Sequence, residues 1–235
     1  MNAFMNAFRS AKLPWPRFSE DFTMDSFYRS QVLGIPRKYL KAAIDRDDVW
    51  SCDELELANE LRRMVDVPRP PQALIVLGVN HCGKTHLACG LVDFLDRSDV
   101  STKTVKLPNG EERLVQTHYR PRYVDESDLL QRIAGYGRGY DWFSEYTDIC
   151  RFLVIDEFGS NKWSETESRR MMQLLNKRFN NGGQTVVLTN RSLPELFELL
   201  SDNVRSRLRG CRTVQMTQVV DEYAGQEAGD EEWFR

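Results

Sequence analysis

The sequence predicts an α/β protein in which a parallel β-sheet is covered by helices on both faces. Three observations lead to this prediction. Short apolar runs alternate with helix-periodic segments from Ala73 onward. Residues 152–155 form an uninterrupted apolar run, which is typical of a central strand buried on both faces. A glycine-rich turn, residues 78–85, joins the first apolar run to the first of these helices.

The elements can be assigned in chain order from periodicity, turn residues and caps. Residues 33–45 and 52–65 are predicted to be helical, and Pro68, Pro70 and Pro71 then separate them from the core. The core is predicted as strand 73–77, helix 84–95, a hairpin over 105–115 around Pro108-Asn109-Gly110, strand 122–124, helix 127–133 capped by Asp125 or Ser127, strand 152–155, helix 165–179, strand 185–189, helices 193–200 and 204–208, and strand 213–216.

The chain length of 235 residues suits one α/β domain with appendages. We predict an N-terminal helical and aromatic segment at 1–66, a core at 67–217 and an acidic, disordered tail at 218–235. No apolar run has the length of a membrane-spanning helix, and the first residues do not have the layout of a signal peptide. The five cysteines are scattered and are expected to be reduced thiols, so we expect a cytoplasmic protein without membrane contact.

The charge distribution is uneven along the chain. The formal net charge is −3, which gives no signal for nucleic acid in the whole chain. From Val220 onward, however, the sequence contains six acidic residues and one basic residue, Arg235, and the rest of the chain is weakly basic. This distribution is compatible with a DNA partner but does not require one.

A phosphate-binding loop is predicted at Gly78-x-x-x-x-Gly83-Lys84-Thr85. The two glycines allow a tight turn whose N–H groups line a concavity, and the next helix adds its positive N-terminal end. Lys84 supplies a charge for the β- and γ-phosphates of ATP, and Thr85 supplies a hydroxyl for Mg²⁺. The predicted nucleotide-binding residues are Gly78, Val79, Asn80, His81, Cys82, Gly83, Lys84, Thr85 and His86.

Two acids, Asp156 and Glu157, follow the apolar run 152–155. The carboxyl end of a strand in such a sheet lies beside the phosphate site. Asp156 is therefore predicted to hold Mg²⁺, and Glu157 is predicted to act as general base toward an attacking water. The pair favours hydrolysis over transfer to a small acceptor, because it provides for water. The alternative is that the two acids only end a strand.

Two later segments carry further candidate catalytic residues. Asn190 ends the next predicted strand and is interpreted as a sensor of the γ-phosphate or the attacking water, although asparagine also commonly ends strands. In residues 203–209, three arginines at alternate positions cannot all share one helical face. One of them is predicted to reach the nucleotide of a neighbouring subunit as an arginine finger.

In combination, these motifs resemble the AAA+ helicase loaders of DnaC type and their relatives, the IstB-type transposition ATPases. The resemblance covers roughly residues 35–223. It is carried by residues 78–88, 128–130, 153–157, 176–179, 188–190 and 203–209, in this order.

The resemblance implies a P-loop NTPase of AAA+ type that hydrolyses ATP with Mg²⁺, and it aligns Arg207 with the family's arginine finger. It also implies assembly with itself and with a replicative helicase on single-stranded DNA. The chain departs from the family pattern in a longer segment at 103–120 and in having no second-sensor arginine that stands out after Tyr223. It also leaves no room for a C-terminal helical lid domain, as in loader-type relatives.

Segment 134–143 is a candidate DNA-contacting loop, because glycines alternate in it with aromatic residues and an arginine. Tyr136 and Tyr140 can stack on bases, and Arg138 can meet phosphate. The alternative is a surface loop whose Trp142 and Phe143 pack inward.

The first thirty residues carry more aromatic side chains than a solvated tail needs. The resemblance implies that the segment ahead of the core docks on the helicase, with Phe4, Phe8 and Trp15 as anchors. The alternative is that these residues fold back and cover the sheet.

The sequence therefore predicts an ATPase that acts in DNA replication as a loader of the replicative helicase on single-stranded DNA. ATP and Mg²⁺ are the expected cofactors, and an ATP-dependent homo-oligomer is the expected assembly. Two alternatives stay open: an IstB-like helper of a transposase, and a nucleotide-gated binding module with little turnover.

Overall fold

The computed structural model describes residues 24–39, 52–66, 72–97, 101–106, 112–117, 119–135 and 140–217. The predicted α/β fold is confirmed, because five parallel strands form one central sheet. These strands are β1 (Ala73–Gly78), β4 (Arg122–Asp125), β5 (Phe152–Asp156), β6 (Gln184–Thr189) and β7 (Arg212–Met216), in the spatial order β4, β5, β6, β1, β7.

The predicted hairpin is confirmed and is longer than expected. Strand β2 (Ser101–Lys106) pairs antiparallel with β3 (Glu112–Thr117) in a separate two-stranded sheet. The predicted turn at Pro108-Asn109-Gly110 lies outside the described residues. The predicted aromatic anchors Phe4, Phe8 and Trp15 and the predicted acidic tail at 218–235 lie outside them as well.

Helices follow the strands as the alternating pattern predicts. The predicted cap of the helix after β4 is confirmed, because the Asp125 carboxylate accepts a hydrogen bond from the Asp128 N–H at 2.8 Å. No helix in the described part of the chain has the length and apolar character needed to cross a membrane. The helices are α1 (Met24–Gln31), α2 (Cys52–Asp66), α3 (Lys84–Arg97), α4 (Glu126–Ala134), α5 (Trp142–Ser144) with a π-helical turn at Glu145–Ile149, α6 (Glu165–Asn180), α7 (Leu193–Leu199) and α8 (Asp202–Leu208).

The sheet is buried on both faces, as its apolar strands predict. Alternate residues of β1 point to opposite sides: Leu74 and Val76 join one buried cluster, and Ile75 joins the other. The first cluster contains α2 and α3, and the second contains α4, α6, α7 and α8. Residues from the predicted N-terminal segment 1–66 therefore share a core with β1, whereas partner docking by that segment stays a prediction.

The predicted helix at 33–45 is wrong for its first residues. Gly34 has φ +81°, and the chain from Leu33 to Pro36 is irregular before a short 3-10 turn at Arg37–Tyr39. The apolar periodicity of this stretch has a different cause, because Leu33 and Ile35 are fully buried in the first cluster. The rest of the predicted helix, from residue 40, lies outside the described residues.

One arginine, Arg178 of α6, is fully buried beneath the second cluster. Its guanidinium donates to the Thr185 hydroxyl at 2.9 Å and to the Cys150 carbonyl at 2.9 Å, and also to the carbonyls of Tyr146 and Gln184. These acceptors lie just before β5 and at the start of β6. Arg178 therefore joins the amino ends of two central strands to α6, and its buried donors are satisfied.

Candidate active site

Three strands bring the predicted site residues to one edge of the sheet. In the parallel register, Leu77 of β1 lies beside Thr189 of β6, and Ile155 of β5 lies beside Val187. Asp125, at the end of β4, lies beside Asp156. The phosphate-binding loop after β1, the acid pair at the end of β5 and Asn190 after β6 therefore share the carboxyl edge, where ligands of such sheets bind.

The phosphate-binding loop needs its two glycines for different physical reasons. Gly83 has φ +86°, a left-handed conformation that side-chain-bearing residues rarely adopt. A Cβ on Gly78 would lie 2.6 Å from the Met216 carbonyl oxygen of the neighbouring strand, so this position has no room for a side chain. His81 also has a positive φ, of 61°. Helix α3 begins directly after this turn, at Lys84.

The Lys84 ammonium is buried inside the loop. It donates to the carbonyls of Gly78 at 2.9 Å and Val79 at 2.6 Å, and to the side-chain oxygen of Asn190 at 3.0 Å. The Asn190 amide in turn donates to the Asn80 side chain at 2.7 Å. The structure thus brings the predicted sensor into direct contact with the phosphate-binding loop, as its position in the sequence predicts.

Asp156 is the centre of a second network. Its Oδ2 accepts hydrogen bonds from the Thr85 hydroxyl at 2.6 Å and the Tyr123 hydroxyl at 2.7 Å. Its Oδ1 accepts from the Glu157 N–H at 2.7 Å. Thr85 and Asp156, the two predicted Mg²⁺ ligands, are therefore adjacent, and three donors hold the carboxylate in one orientation.

Glu157 occupies a strained turn at the end of β5. Its φ is +53°, a left-handed conformation that costs energy for a residue with a Cβ and that occurs often at functional sites. Burial raises the pKa of its carboxyl group, as do the nearby Asp156 and Asp125, whereas Lys38 lowers it. A raised pKa brings a carboxylate closer to the range in which it accepts a proton efficiently near neutral pH.

The turn that carries Glu157 is fixed by groups on both sides. The Phe158 N–H donates to the Leu188 carbonyl at 2.9 Å. The Gly159 N–H donates to the buried Glu126 carboxylate, and the Arg191 guanidinium donates to the Gly159 carbonyl. The residues after the acid pair are thus tied to α4 and to the segment that follows Asn190.

The other predicted nucleotide-binding residues lie around the same loop. Cys82 is buried, and its sulfur is 3.4 Å from the Lys84 ammonium. The His86 ring, on the first turn of α3, packs edge-on to the Tyr39 ring at 6.3 Å between centroids. Val79 is half exposed. A cavity of about 160 Å³ is lined by residues 80–86 together with Lys38, Tyr39, Asp156, Glu157 and Asn190.

A larger cavity of about 450 Å³ adjoins the acid pair on the β4 side. Thr85, Asp156 and Glu157 line both cavities. The larger one is also lined by Tyr123, Asp125, Asp128 and Arg132. The N-terminal segment contributes Ser30, Gln31, Gly34, Ile35, Pro36, Lys38 and Tyr39 to its lining. The reaction centre predicted from the sequence therefore borders open space on two sides.

Arg207, the predicted arginine finger, does not lie with these residues. It is exposed on α8, where its guanidinium donates to the Asn180 side chain at 2.8 Å and stacks over the Phe179 ring at 5.9 Å. Asn180 ends α6, directly before β6, and α8 precedes β7. Both therefore lie toward the amino edge of the parallel sheet, away from the chain's own phosphate-binding loop.

The predicted DNA-contacting residues are only partly described. Tyr136 and Arg138 lie outside the described residues. Tyr140 is 54% exposed, and its hydroxyl donates to the Glu145 carboxylate at 2.7 Å. Trp142 and Phe143 are half-buried against the second cluster, which is the inward packing that the alternative interpretation predicts.

The donors at the acid pair fit a magnesium ion by their chemistry. Mg²⁺ prefers oxygen ligands and usually takes one or two from the protein, the others coming from water and substrate phosphates. The Thr85 hydroxyl and the Asp156 carboxylate are adjacent oxygens of this kind. The part of the chain that the structure describes contains no cluster of three or more His, Cys, Asp or Glu residues that could hold a metal ion.

Sequence reasoning missed three residues that the structure places at the site: Tyr123, Lys38 and Glu126. Tyr123 contacts Asp156 through the pairing of β4 with β5, and this register leaves no local signal in the sequence. Lys38 lies forty residues before the first glycine of the loop, Gly78. For Glu126, the sequence offers one signal, which is an acid next to the predicted cap Asp125. Acids are common in the exposed first turn of a helix, so this signal does not point to a buried site residue.

Comparison with solved structures identifies the class of fold. The DnaC helicase loader matches with a TM-score of 0.59 and 19% identity, over 77% of this chain and 99% of that one. DnaI matches with a TM-score of 0.59 and 15% identity, over 81% of this chain and 97% of that one. The replication initiator DnaA, bound to AMPPCP and single-stranded DNA, matches with a TM-score of 0.59 and 13% identity, over 83% of this chain and 56% of that one.

The sequence matches no protein-family model and no curated protein. At these identities the structural matches establish the fold alone. The chain has the fold of a P-loop NTPase of AAA+ type. More particularly, its architecture is similar to that of the DnaC helicase loader and of DnaI, as the resemblance in the motifs predicts.

Proposed function

We propose that this protein is a Mg²⁺-dependent AAA+ ATPase that acts in DNA replication by loading a replicative helicase on single-stranded DNA. One observation carries the ATPase part of the proposal. Lys84 contacts Asn190 at 3.0 Å, and Thr85 contacts Asp156 at 2.6 Å, so residues from three strand ends converge on one loop. Each has the chemistry that its position requires for phosphate binding and hydrolysis.

In the proposed reaction, Lys84 and the N-terminus of α3 bind the β- and γ-phosphate oxygens. Thr85 and Asp156 hold Mg²⁺, which when bound neutralises charge on the same phosphates. Glu157 accepts a proton from a water whose oxygen attacks the γ-phosphorus, while the bond from phosphorus to the β-phosphate oxygen breaks and ADP leaves. Asn190 orients the attacked phosphate or the water by hydrogen bonding.

The ATPase part is tested with two substitutions in the full chain. We expect Glu157→Gln to bind ATP as the wild type does but to lose turnover by about a hundredfold or more, because the amide cannot accept the proton. We expect Lys84→Ala to weaken ATP binding by about tenfold or more, because a charge-assisted contact to phosphate is lost. Binding is measured with a fluorescent nucleotide, and turnover by phosphate release.

Glu165→Gln is the matched control, because Glu165 is an exposed residue at the start of α6, away from the site. It should leave both binding and turnover unchanged. Turnover at the wild-type rate in Glu157→Gln would show that another group is the base. A wild-type chain that binds ATP tightly with negligible turnover would instead support a nucleotide-gated binding module.

The replication part of the proposal rests on structural similarity to DnaC and DnaA. DnaC is a helicase loader, and the matched DnaA structure contains single-stranded DNA. We infer that this chain binds a replicative helicase and single-stranded DNA when ATP is bound, and that it assembles with itself. Affinity capture with purified replicative helicase and with a transposase, each with and without ATP, tests the partner. Capture of the transposase alone would reassign the task to transposition.

A further inference from the structure

The chain between α1 and the 3-10 turn is fixed against the edge of the sheet beside the site. The Tyr123 N–H of β4 donates to the Leu33 carbonyl at 2.7 Å, and the Ile35 N–H donates to the Arg29 carbonyl at 3.1 Å. The side chains of Leu33 and Ile35 are fully buried in the first cluster. Backbone pairing and apolar burial thus hold this segment in one place.

The same segment is anchored to the helix that follows the phosphate-binding loop. The Arg29 guanidinium pairs with Asp93 of α3 at 2.7 Å, and both side chains are largely buried. The Tyr28 hydroxyl donates to Asp96, also on α3, at 3.1 Å. Because α3 begins at Lys84, these contacts fix the position of residues 37–39 relative to the loop.

Lys38 extends from this anchored segment to the border of both cavities. It lines the cavity around Lys84 and Asn190, and also the larger cavity on the β4 side. The described residues that line the cavity at the loop include two lysines, Lys38 and Lys84, and no arginine. Asp156 and Glu157 line the same two cavities as Lys38.

The other cation of the larger cavity, Arg132, is engaged elsewhere. Its guanidinium donates to the Tyr146 hydroxyl at 2.9 Å and stacks over the Trp142 ring at 4.7 Å. Lys38 is exposed, and its ammonium lies 5.2 Å from the centre of the Tyr39 ring. A lysine at the end of a flexible stem can turn from such a ring toward a phosphate without moving the backbone.

We propose that Lys38 is a second phosphate-binding cation of the nucleotide site, which contacts the γ-phosphate and makes the site prefer ATP to ADP. This inference rests on the proposed ATP-binding function. Lys38, Lys84 and Glu157 line the same cavity, so a γ-phosphate bound between Lys84 and Glu157 would be within the cavity that Lys38 borders, and a diphosphate would lack this contact. The N-terminal segment thereby senses the state of the nucleotide, because the lysine that binds the phosphate belongs to it.

The experiment compares Lys38→Ala with Arg37→Ala in the full chain. Arg37 is the adjacent exposed cation of the same 3-10 turn and does not line either cavity. Calorimetry gives the affinities for AMPPCP and for ADP with Mg²⁺ present. We expect Lys38→Ala to weaken AMPPCP binding by roughly tenfold and ADP binding by less than about twofold, because a charge-assisted contact is lost only with the triphosphate. Arg37→Ala should change neither affinity.

Lys38→Arg should recover most of the preference for AMPPCP, because the positive charge is kept. Equal weakening for both nucleotides, or no change for either, would overturn the role of Lys38. Wild-type and Lys84→Ala chains are measured in the same series. If the wild type binds neither nucleotide, the proposed function itself fails; if it binds both and Lys38→Ala leaves their ratio unchanged, only the present inference fails.

Discussion

At the scale of single residues, the feature that organises the site is the Asp156 carboxylate. Thr85 and Tyr123 both donate to its Oδ2, at 2.6 and 2.7 Å. Burial, together with the charge of Asp156, raises the pKa of the Tyr123 hydroxyl, so this hydroxyl remains protonated and acts as a donor. A carboxylate held in this way is oriented before any ion arrives, which lowers the cost of ordering it on binding.

We therefore expect Tyr123→Phe to weaken Mg²⁺ binding. The ring still packs in the core, but one of the donors that orient Asp156 is lost, and a hydrogen bond of this kind corresponds to about a fivefold change in affinity. The measurement is the Mg²⁺ concentration needed for half-maximal binding of ATP. Tyr146→Phe is the control, since Tyr146 is also buried and its hydroxyl contacts Arg132 instead. An equal shift in both variants would argue against a specific role of Tyr123.

At the scale of elements, the attachment of residues 32–39 to β4 depends on one glycine. Gly34 has φ +81°, and a Cβ at this position would lie 2.0 Å from the Tyr123 carbonyl oxygen. Neither the backbone conformation nor the space allows a side chain here. This close approach lets Leu33 pair with β4 while the side chain of Ile35 enters the core.

Gly34→Ala should displace this segment from the sheet edge. We expect a loss of about 2 kcal/mol or more in the free energy of unfolding, from backbone strain of about 1 kcal/mol and a steric overlap that rigid backbone cannot relieve. Urea denaturation measures the loss. Gly182→Ala separates the two causes, because Gly182 has φ +70° but no atom within 4 Å of the added Cβ, so it has the strain alone. Equal losses in the two variants would show that the contact with Tyr123 contributes nothing.

At the scale of the whole molecule, the parallel sheet separates Arg207 from the nucleotide site of its own chain. The phosphate-binding loop is at the carboxyl edge, whereas Arg207 contacts Asn180, just before the amino end of β6. If Arg207 is a finger, it therefore acts on a nucleotide bound by another copy. Its stacking over Phe179 holds the guanidinium on the surface, where a second copy can meet it.

We expect Arg207→Ala to bind ATP normally and to lose most of its turnover. A mixture of Arg207→Ala with Lys84→Ala should recover part of the turnover, because at some interfaces an intact site meets an intact arginine. Phosphate release is followed at several mixing ratios, and light scattering verifies that mixed assemblies form. Arg209 is exposed and directly follows α8, and Arg209→Ala should behave as the wild type. If mixed assemblies form without any recovery, Arg207 does not act between subunits.

The sequence alone determined the features that depend on residues close together in the chain. The loop Gly78–Thr85, the acid pair at the end of β5 and the hairpin of β2 and β3 were predicted correctly as structure, because local spacing and turn chemistry specify them. The cap of α4 was narrowed correctly to two residues, of which Asp125 is the one observed. The fold class followed from the alternation of these elements. The functions of the site residues stay predictions, which the experiments above test.

Only the tertiary structure decided which distant residues meet at the site. Tyr123 contacts Asp156, Lys38 borders the cavities and Arg178 is buried, and each depends on packing between segments far apart in the chain. The first residues of the predicted helix at 33–45 differ from the prediction for the same reason. The apolar pattern of the stretch suits a helix, but Gly34 and the pairing with β4 give Leu33 and Ile35 an irregular backbone that buries both side chains in the core. Apolar spacing records that a residue is buried, whereas the partner that buries it is set by the register and packing of the sheet.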